Sequence, residues 1–421
     1  MCSEWPLILL RDFVDLLAGF AFKSTGYSDG QDDVRLLRGD NIAPGRVRWD
    51  GVKRWSRENA VGLERYALEP GDVVLAMDRP WIPAGLKVAQ VQAADTPSYL
   101  VQRVARIRPA SREDCSFLFA LLSTPEFESY IQNVTTGTAV PHISAKQILD
   151  FEFRLPPAYV RAKVGEIVAA LNERITLLRE TNTTLEAMAQ ALFKSWFVDF
   201  DPVYARARGE QPPGLAPEVA ALFPDSFEES ALGLVPKGWA IGELQDLLVL
   251  QRGFDLPASA RTPGAYPLIA ASGPNGTHNV AMAKGPGVIT GRSGVLGKVF
   301  LTLEDYWPLN TTLWVKEFQH ATPCYAYELL RMLDFSSFNA GSAVPTLNRN
   351  HIHSLKYLLP SKALVREFES KAMVLHQRAL ANAKQAETLT TLRDTLLPRL
   401  ISGQLRLPDA EAQLSEVGLC Q

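Results

Sequence analysis

A duplication at long period constrains this chain more than any other feature. Trp5, Asp12 and Gly19-Phe20 reappear as Trp239, Asp246 and Gly253-Phe254, each displaced by 234 residues. Farther along, Gly137-Thr-Ala-Val-Pro141 returns as Gly341-Ser-Ala-Val-Pro345, now displaced by 204. The same offset pairs Ile148 with Ile352 and Leu155-Pro156 with Leu359-Pro360, and 7 of the 21 positions from Gly137 to Pro157 are identical. The fall from 234 to 204 makes the second copy 30 residues shorter in its interior. Solenoid repeats run at roughly 20–50 residues, so this period implies a whole domain copied in tandem. The ends of each copy agree and the interiors differ.

Each copy carries the same order of elements. Asp33–Leu37, Asp72–Met77 and Tyr99–Ile107 are short β-branched or aromatic runs bounded by Gly, Pro and Asp, which read as strands. Pro267–Ala270, Val288–Thr290 and Thr311–Val315 match them in the second copy. Short helices are expected at Phe117–Leu122 and Cys324–Leu333, then the Gly/Pro loop, then a long helix.

The long helices follow from spacing. Val164, Val168, Leu171, Ile175, Leu178, Asn182, Leu185, Ala189 and Leu192 alternate steps of 4 and 3, the a/d rhythm of a coiled coil. Pro156-Pro157 and Asp201-Pro202 mark its ends, and about 40 residues at ~1.5 Å each give a rod of roughly 60 Å. Phe368, Ala372, Leu375, Ala379, Leu389 and Leu396 continue the rhythm in the second copy, with Ala386 and Arg393 weakening it. Pro398 is expected to end or kink that helix. Two stripes in one chain most simply bury each other; a homodimeric coiled coil is the alternative. Asn182 and Asn382 occupy otherwise apolar seam positions, where an Asn either fixes register or marks an open part of the seam. The fold class is therefore α+β, with two β-rich domains in tandem separated by two long helices that pair as an antiparallel coiled coil. The expected division is 1–157, first domain; 158–200, long helix; 201–235, linker; 236–361, second domain; and 362–407, C-terminal helix. Within the linker, Gly209–Gly214 forms a flexible turn region, while Leu222-Phe223-Pro224 and Leu232–Val235 are expected to pack on their neighbours.

Composition narrows the class. Four cysteines lie far apart with no C-x-x-C pair, which fits a reducing, cytoplasmic setting. Apolar runs such as Leu247–Leu250 are too short to cross a bilayer, and Trp5–Leu10 is too short for a signal-peptide core. The net charge of −3 speaks against a generic basic DNA binder, but its distribution is uneven. Residues 35–65 hold eight Lys/Arg against four acids, and residues 251–303 hold five against Asp255 alone, a net +4 in each window.

Catalytic patterns are missing. No Asn/Asp-Pro-Pro-aromatic loop of an amino-methyltransferase occurs, because Leu155 and Gln211 precede the two Pro-Pro sites. Gly285-Pro-Gly287 and Gly291-Arg-Ser-Gly294 lack the Lys-[Ser/Thr] of a phosphate-binding loop. Glu369-Ser-Lys371, an E-x-K nuclease fragment, falls inside a long helix without an acidic strand partner. His351-x-His353 supplies two metal ligands where zinc normally takes three or four from the protein, so both histidines read as loop or surface residues. The chain is expected to be no enzyme and to bind no metal or cofactor itself.

Several motifs in their order resemble one family. Phe193-Lys-Ser-Trp-Phe-Val-Asp-Phe-Asp-Pro202, Leu222-Phe-Pro-Asp-Ser226 and Val235-Pro-Lys-Gly-Trp239 are similar to the central region of type I restriction-modification specificity (S) subunits. Leu396-Leu-Pro-Arg-Leu-Ile-Ser-Gly403 resembles the end of their second helical region. Leu36-Leu-Arg-Gly-Asp-Asn-Ile42 and the two Gly-x-Ala-Val-Pro loops resemble parts of their target recognition domains. The resemblance spans essentially the whole chain. It implies that each recognition domain reads one half of a bipartite target in double-stranded DNA and that the helices set the gap between half-sites. It further implies methyltransferase (M) subunits, two expected, carrying S-adenosylmethionine, and restriction (R) subunits carrying ATP and Mg chemistry. Apolar residues outside the seam, Ile167, Leu177, Met188, Trp196 and Phe197, become the candidate docking face, with ordinary packing against the adjacent recognition domains the alternative for Trp196 and Phe197.

Arg and Asn have the fork geometry for guanine and adenine edges. Candidate DNA contacts are Arg35, Arg38, Asn41, Arg46 and His142 in the first copy. In the second they are Ser272, Asn275, His278, Arg292, Ser293, Thr346 and Arg349. Two alternatives keep different chemistry: a specificity subunit of a related methyltransferase-endonuclease system, and an interaction scaffold that binds no DNA.

Overall fold

Period-2 and period-3.6 patterns resolve into strands and helices where they are expected. The structure is a computed structural model that describes residues 5–49, 51–82, 85–137, 140–335 and 347–416. The chain divides into two compact units, Met1–Leu178 with Gln385–Gln421, and Arg179–Lys384. Each is described by itself.

In the first unit, Val88–Gln90, Val73–Ala76, Val104–Pro109 and Val14–Ala18 lie side by side in that order, all antiparallel. All four residues of Val73–Ala76 are buried because both faces of the strand are covered. Val73 and Leu75 join a core with the helix Cys115–Leu122, while Val74 and Ala76 pack on the other side with Leu37 and Leu100. A second sheet runs Ser98–Leu100, Val34–Leu37, Lys53–Trp55 and Tyr27–Ser28, with its first pair parallel. The run expected as one strand over Tyr99–Ile107 is broken in two, because the chain turns at Gln102-Arg103 and changes sheets there.

The second unit repeats this topology. Val299–Thr302, Gly287–Gly291, Thr312–Phe318 and Leu248–Arg252 form the antiparallel sheet in the corresponding order. Trp307–Pro308, Tyr266–Ala270 and Gly273–His278 form the smaller one, again with its first pair parallel. The two-stranded ribbons at the domain ends keep both sequence offsets. Ile8 faces Phe153 in one unit, and Gly242 faces Tyr357 in the other.

Residues shared by the copies build this frame. Asp12 accepts from the Leu9 backbone N–H at 3.3 Å, and Asp246 accepts from Glu243 at 2.8 Å. Ile148 and Ile352 are both fully buried. A Cβ on Gly19 would stand 2.2 Å from the Val101 carbonyl oxygen, and one on Gly253 would stand 2.2 Å from that of Leu309. Only glycine permits either approach.

The helices span Ala158–Phe197 and Lys362–Ile401, 40 residues each, matching the expected length of the first. Pro398 does not end the second, which runs on to Ile401. In the first unit Val164, Val168, Leu171, Ile175 and Leu178 share a core with Ala386, Leu389, Leu396 and Leu397. There Arg393, the weak seam position, donates to the Asn172 side-chain oxygen at 2.8 Å. In the second unit the rings of Phe193, Trp196 and Phe197 pack on Phe368, at centroid distances of 5.6, 6.2 and 5.5 Å. Early positions of one helix meet late positions of the other in both units, so the pairing is antiparallel, as expected. In the linker, Phe223 and Val235 are buried as expected, but Leu232 and Leu234 stay exposed on a hairpin of Phe227–Ser230 with Gly233–Pro236. The expectation that the whole Leu232–Val235 run packs inward is therefore corrected: strand alternation turns only part of it inward.

Candidate nucleic-acid interface

Three backbone segments meet at one edge of the first unit. As the strand Val73–Ala76 ends, the Met77 N–H donates to the Arg103 carbonyl at 2.8 Å, and the Met77 carbonyl accepts from Ile143 at 2.9 Å. The Arg79 N–H donates to the Pro141 carbonyl at 2.7 Å. Asp78 and His142 face each other as an antiparallel bridge, and His142 Nδ1 lies 2.6 Å from Asp78 Oδ1. Arg103 Nε is 3.7 Å from the other carboxylate oxygen. Arg79 and Arg103 hold left-handed backbones, with φ of 45° and 67°. That conformation costs a side-chain-bearing residue roughly 1–2 kcal/mol, and such strain gathers at functional sites.

The same edge concentrates positive charge. Lys87 is half-buried, and burial lowers its ammonium pKa most. Asp40 and Asp78 raise it, while Arg48 and Arg79 lower it further. Arg38 pairs with Asp40 at 3.3 Å, and Arg48 Nε donates to the Asp40 carbonyl at 3.2 Å. Arg38, Arg48, Arg79, Lys87 and Arg103 thus surround Asp40 and Asp78, five cations to two carboxylates. An excess of that sign at a surface edge attracts a polyanion.

The second unit builds the same edge with other side chains. The Arg292 N–H donates to the Thr311 carbonyl at 2.8 Å, and the Arg292 carbonyl accepts from Leu347 at 2.9 Å, the counterparts of the Met77 bonds. Ser293 adds a bond to Thr311 at 3.1 Å. Beside this loop a cleft of about 310 Å³ is lined by Asp255, Arg261, Asn275, Asn310 and Thr311. Arg261 donates to the Asn275 side-chain oxygen at 2.7 Å, its buried Nε finds no partner among the described residues, and Asn310 donates to Asp255.

The sequence-derived candidates sort by this geometry. His142, Arg292 and Ser293 sit on the three-segment edge, and Arg38 lies in the charge cluster beside it. Arg46 is exposed on a tight hairpin of Ile42–Ala43 with Arg46–Val47. Ser272, Asn275 and Arg349 are exposed, and Arg349 opens the helix Arg349–His353. Thr346 lies outside the described residues. Three candidates are corrected, because their polar atoms are already engaged within the fold. Arg35 stacks 4.5 Å above the Trp49 ring and donates to the carbonyls of Ala94 and Thr96 at 2.7 and 3.1 Å. Asn41, 4% exposed, accepts from the Arg38 N–H and donates to the Arg48 carbonyl. His278, 7% exposed, accepts the Thr262 N–H at 3.0 Å and meets the Trp307 ring edge-on.

The docking set is corrected too. Ile167, Trp196 and Phe197 are buried in the cores of their units, whereas Leu177 and Met188 remain about half exposed. His351 and His353 belong to a helix rather than a loop, and His351 is a surface residue, as expected. His353 Nε2 accepts from the Leu250 N–H at 2.9 Å, and burial lowers its pKa. Glu369 is likewise structural, accepting from the Cys324 N–H at 2.9 Å. Among the described residues no group of three His, Cys, Asp or Glu side chains is placed to hold a metal ion. No described helix is long and apolar enough to cross a membrane. Nothing in the sequence singles out Asp78, Arg79, Lys87 or Arg103. A left-handed arginine has no sequence signature, and the segments meet only in three dimensions.

Paired long helices bearing two copies of one β-rich, basic-edged domain define a class: a duplicated recognition protein. Comparison with known proteins makes the class particular. A family model for the type I restriction modification DNA specificity domain matches residues 3–187. The HindI specificity subunit of Haemophilus influenzae is 25% identical over 82% of this chain and 88% of its own length. The MjaIX specificity subunit of Methanocaldococcus jannaschii is 21% identical over 76% of each chain. Among solved structures, an S subunit of a type I restriction-modification system from M. genitalium shares the fold, with a TM-score of 0.57 at 14% identity, over 94% of this chain and 96% of that one. The first copy thus carries the type I restriction modification DNA specificity domain, and over most of its length the chain is similar to type I specificity subunits.

Proposed function

We propose that this chain reads double-stranded DNA for a type I restriction-modification complex. The first β-rich domain takes one half of a bipartite target and the second takes the other, with the helices setting the gap. The supporting observation is one backbone frame built twice, whose three-segment edge carries Asp78, Arg79 and His142 in one unit and Arg292 and Ser293 in the other. A constant frame with different side chains at its edge suits two different half-sites, since base edges are read by side chains and phosphates set the register.

In this reading 1–157 and 236–361 are the recognition domains, 158–200 and 362–407 the helices, and 201–235 the connector, at work in the cytoplasm. Leu177 and Met188 offer apolar surface to methyltransferase subunits, two per complex. The chain itself catalyses nothing: S-adenosylmethionine belongs to those subunits, and ATP and Mg belong to restriction subunits.

The test is to assemble the full chain with methyltransferase subunits encoded beside it and to map methylated adenines across a genome. A split motif, together with duplex binding that weakens steeply with salt, supports the reading. Absence of any motif and salt-independent association would leave a scaffold that binds no DNA.

A further inference from the structure

The geometry points to the Asp78–His142 pair as a specificity-determining element of the first unit, flanked by Arg79 and Arg103 as phosphate contacts. This rests on the DNA reading above and narrows it to named atoms.

Four observations carry it. The carboxylate of Asp78 accepts the Nδ1–H of His142 at 2.6 Å, and in the neutral ring this bond fixes the tautomer that carries its lone pair on Nε2. No hydrogen bond from Nε2 to a described residue occurs, and the His142 side chain is one third exposed. The pair is rigid, since bonds from Met77, Arg79 and Ile143 tie all three segments together. An orientation held in advance lowers the ordering cost of binding. On either side stand Arg79, exposed, and Arg103, 60% exposed, both on left-handed backbones.

An acceptor nitrogen ringed by cations suits the major groove, where exocyclic amines of adenine and cytosine are donors and phosphates border the groove. The second unit supplies the comparison. By these backbone bonds Arg292, Ser293 and Thr311 take the places of Met77, Asp78 and Arg103, so the carboxylate that orients His142 in the first unit is replaced by a hydroxyl in the second; Thr346, at the place of His142, lies outside the described residues. Residues that only held the frame would match between the copies, as Gly19 and Gly253 do.

The test uses the full chain assembled with its methyltransferase subunits, with genomic methylation mapped for wild type, His142→Ala, Asp78→Asn and Arg79→Gly. His142→Ala and Asp78→Asn should relax one base position in one half-site, with discrimination there falling roughly tenfold or more, while the other half-site and the gap stay unchanged. Arg79→Gly should weaken binding to a motif-bearing duplex about equally for all sequences and lower the salt slope by about one, without lowering Tm. Glycine accepts a φ of 45°, so this variant decides the matter if either pair variant fails to assemble. An unchanged motif in both pair variants, or wild-type affinity in Arg79→Gly, overturns the inference while leaving the DNA reading intact. A wild-type complex with no motif overturns both.

Discussion

Asn382 donates its side-chain amide to the side-chain oxygen of Asn182 at 2.9 Å, and Asn182 donates its own amide to the Ala379 carbonyl at 2.8 Å. The pair sits in an otherwise apolar seam, with Asn382 only 2% exposed. A polar pair in such a place fixes one register, because any slip strands both amides. Of the two sequence-level readings, a register pin or an open seam, the geometry favours the pin. Replacing Asn182 with Ala leaves the Asn382 amide buried without its acceptor, a loss of about 1–3 kcal/mol. Replacing both with Leu should recover most of that loss. Thermal denaturation of the two variants decides: a double variant as unstable as the single removes the register argument.

Gly19→Ala and Gly253→Ala should each destabilise by about 1–3 kcal/mol or more, since the new carbon meets a backbone oxygen that side-chain motion cannot clear. Gly62→Ala is the control. Its added carbon meets no atom within 4 Å, so it carries only the cost of φ 82°, about 1–2 kcal/mol. If the three lose equal stability, the close approach is not what selects glycine.

Core and docking roles separate by substitution. Trp196→Ala should cost about 3–5 kcal/mol, because the ring is 1% exposed and packs on Phe223 and Phe368. Met188→Asp, on an exposed position, should change stability by no more than about 0.5 kcal/mol yet reduce co-purification of methyltransferase subunits. Undiminished capture by Met188→Asp would remove that residue from the docking face.

Two buried groups in the second unit give opposite pH responses. Burial, with help from Arg331, lowers the His376 pKa to about 4, so the unfolded chain binds the extra proton first. Its contribution to stability is lost as pH falls from about 6.5 toward 4. Burial raises the Glu328 pKa to about 7 against the pull of Arg331, so here the folded chain holds the proton longer. That contribution is lost as pH rises from about 4.5 through 7. His376→Gln should flatten the acid-side decline of Tm, and Glu328→Gln the decline toward neutrality. Parallel Tm profiles for variants and wild type would contradict both assignments.

Arg46→Ala should weaken duplex binding without altering the methylated motif, and the log–log salt slope should fall by about one. A changed motif would instead make Arg46 a base contact.

Much of the architecture was legible because it rests on patterns that need no tertiary knowledge. Steps of 4 and 3 from Val164 to Leu192 give the helix, and offsets of 234 and 204 give the whole domain copied in tandem. The candidate site was less legible. Asn41 and His278 have the right chemistry for DNA, but hydrogen bonding within the fold had already claimed them. Arg79 and Arg103 were passed over because their placement comes from backbone strain and from segments far apart in sequence. For Trp196 the sequence leaves docking and packing open, and the rings of Phe223 and Phe368 decide for packing.

The division of the helices between units has a genetic consequence. Residues 1–200 produced alone would lack Gln385–Gln421, which complete the first compact unit. Val164, Val168, Leu171, Ile175 and Leu178 would then be an orphaned adhesive strip. A gene interrupted in the connector therefore does not encode an independent half; its product must find a second copy of itself or a complementary fragment before it can persist as a folded protein.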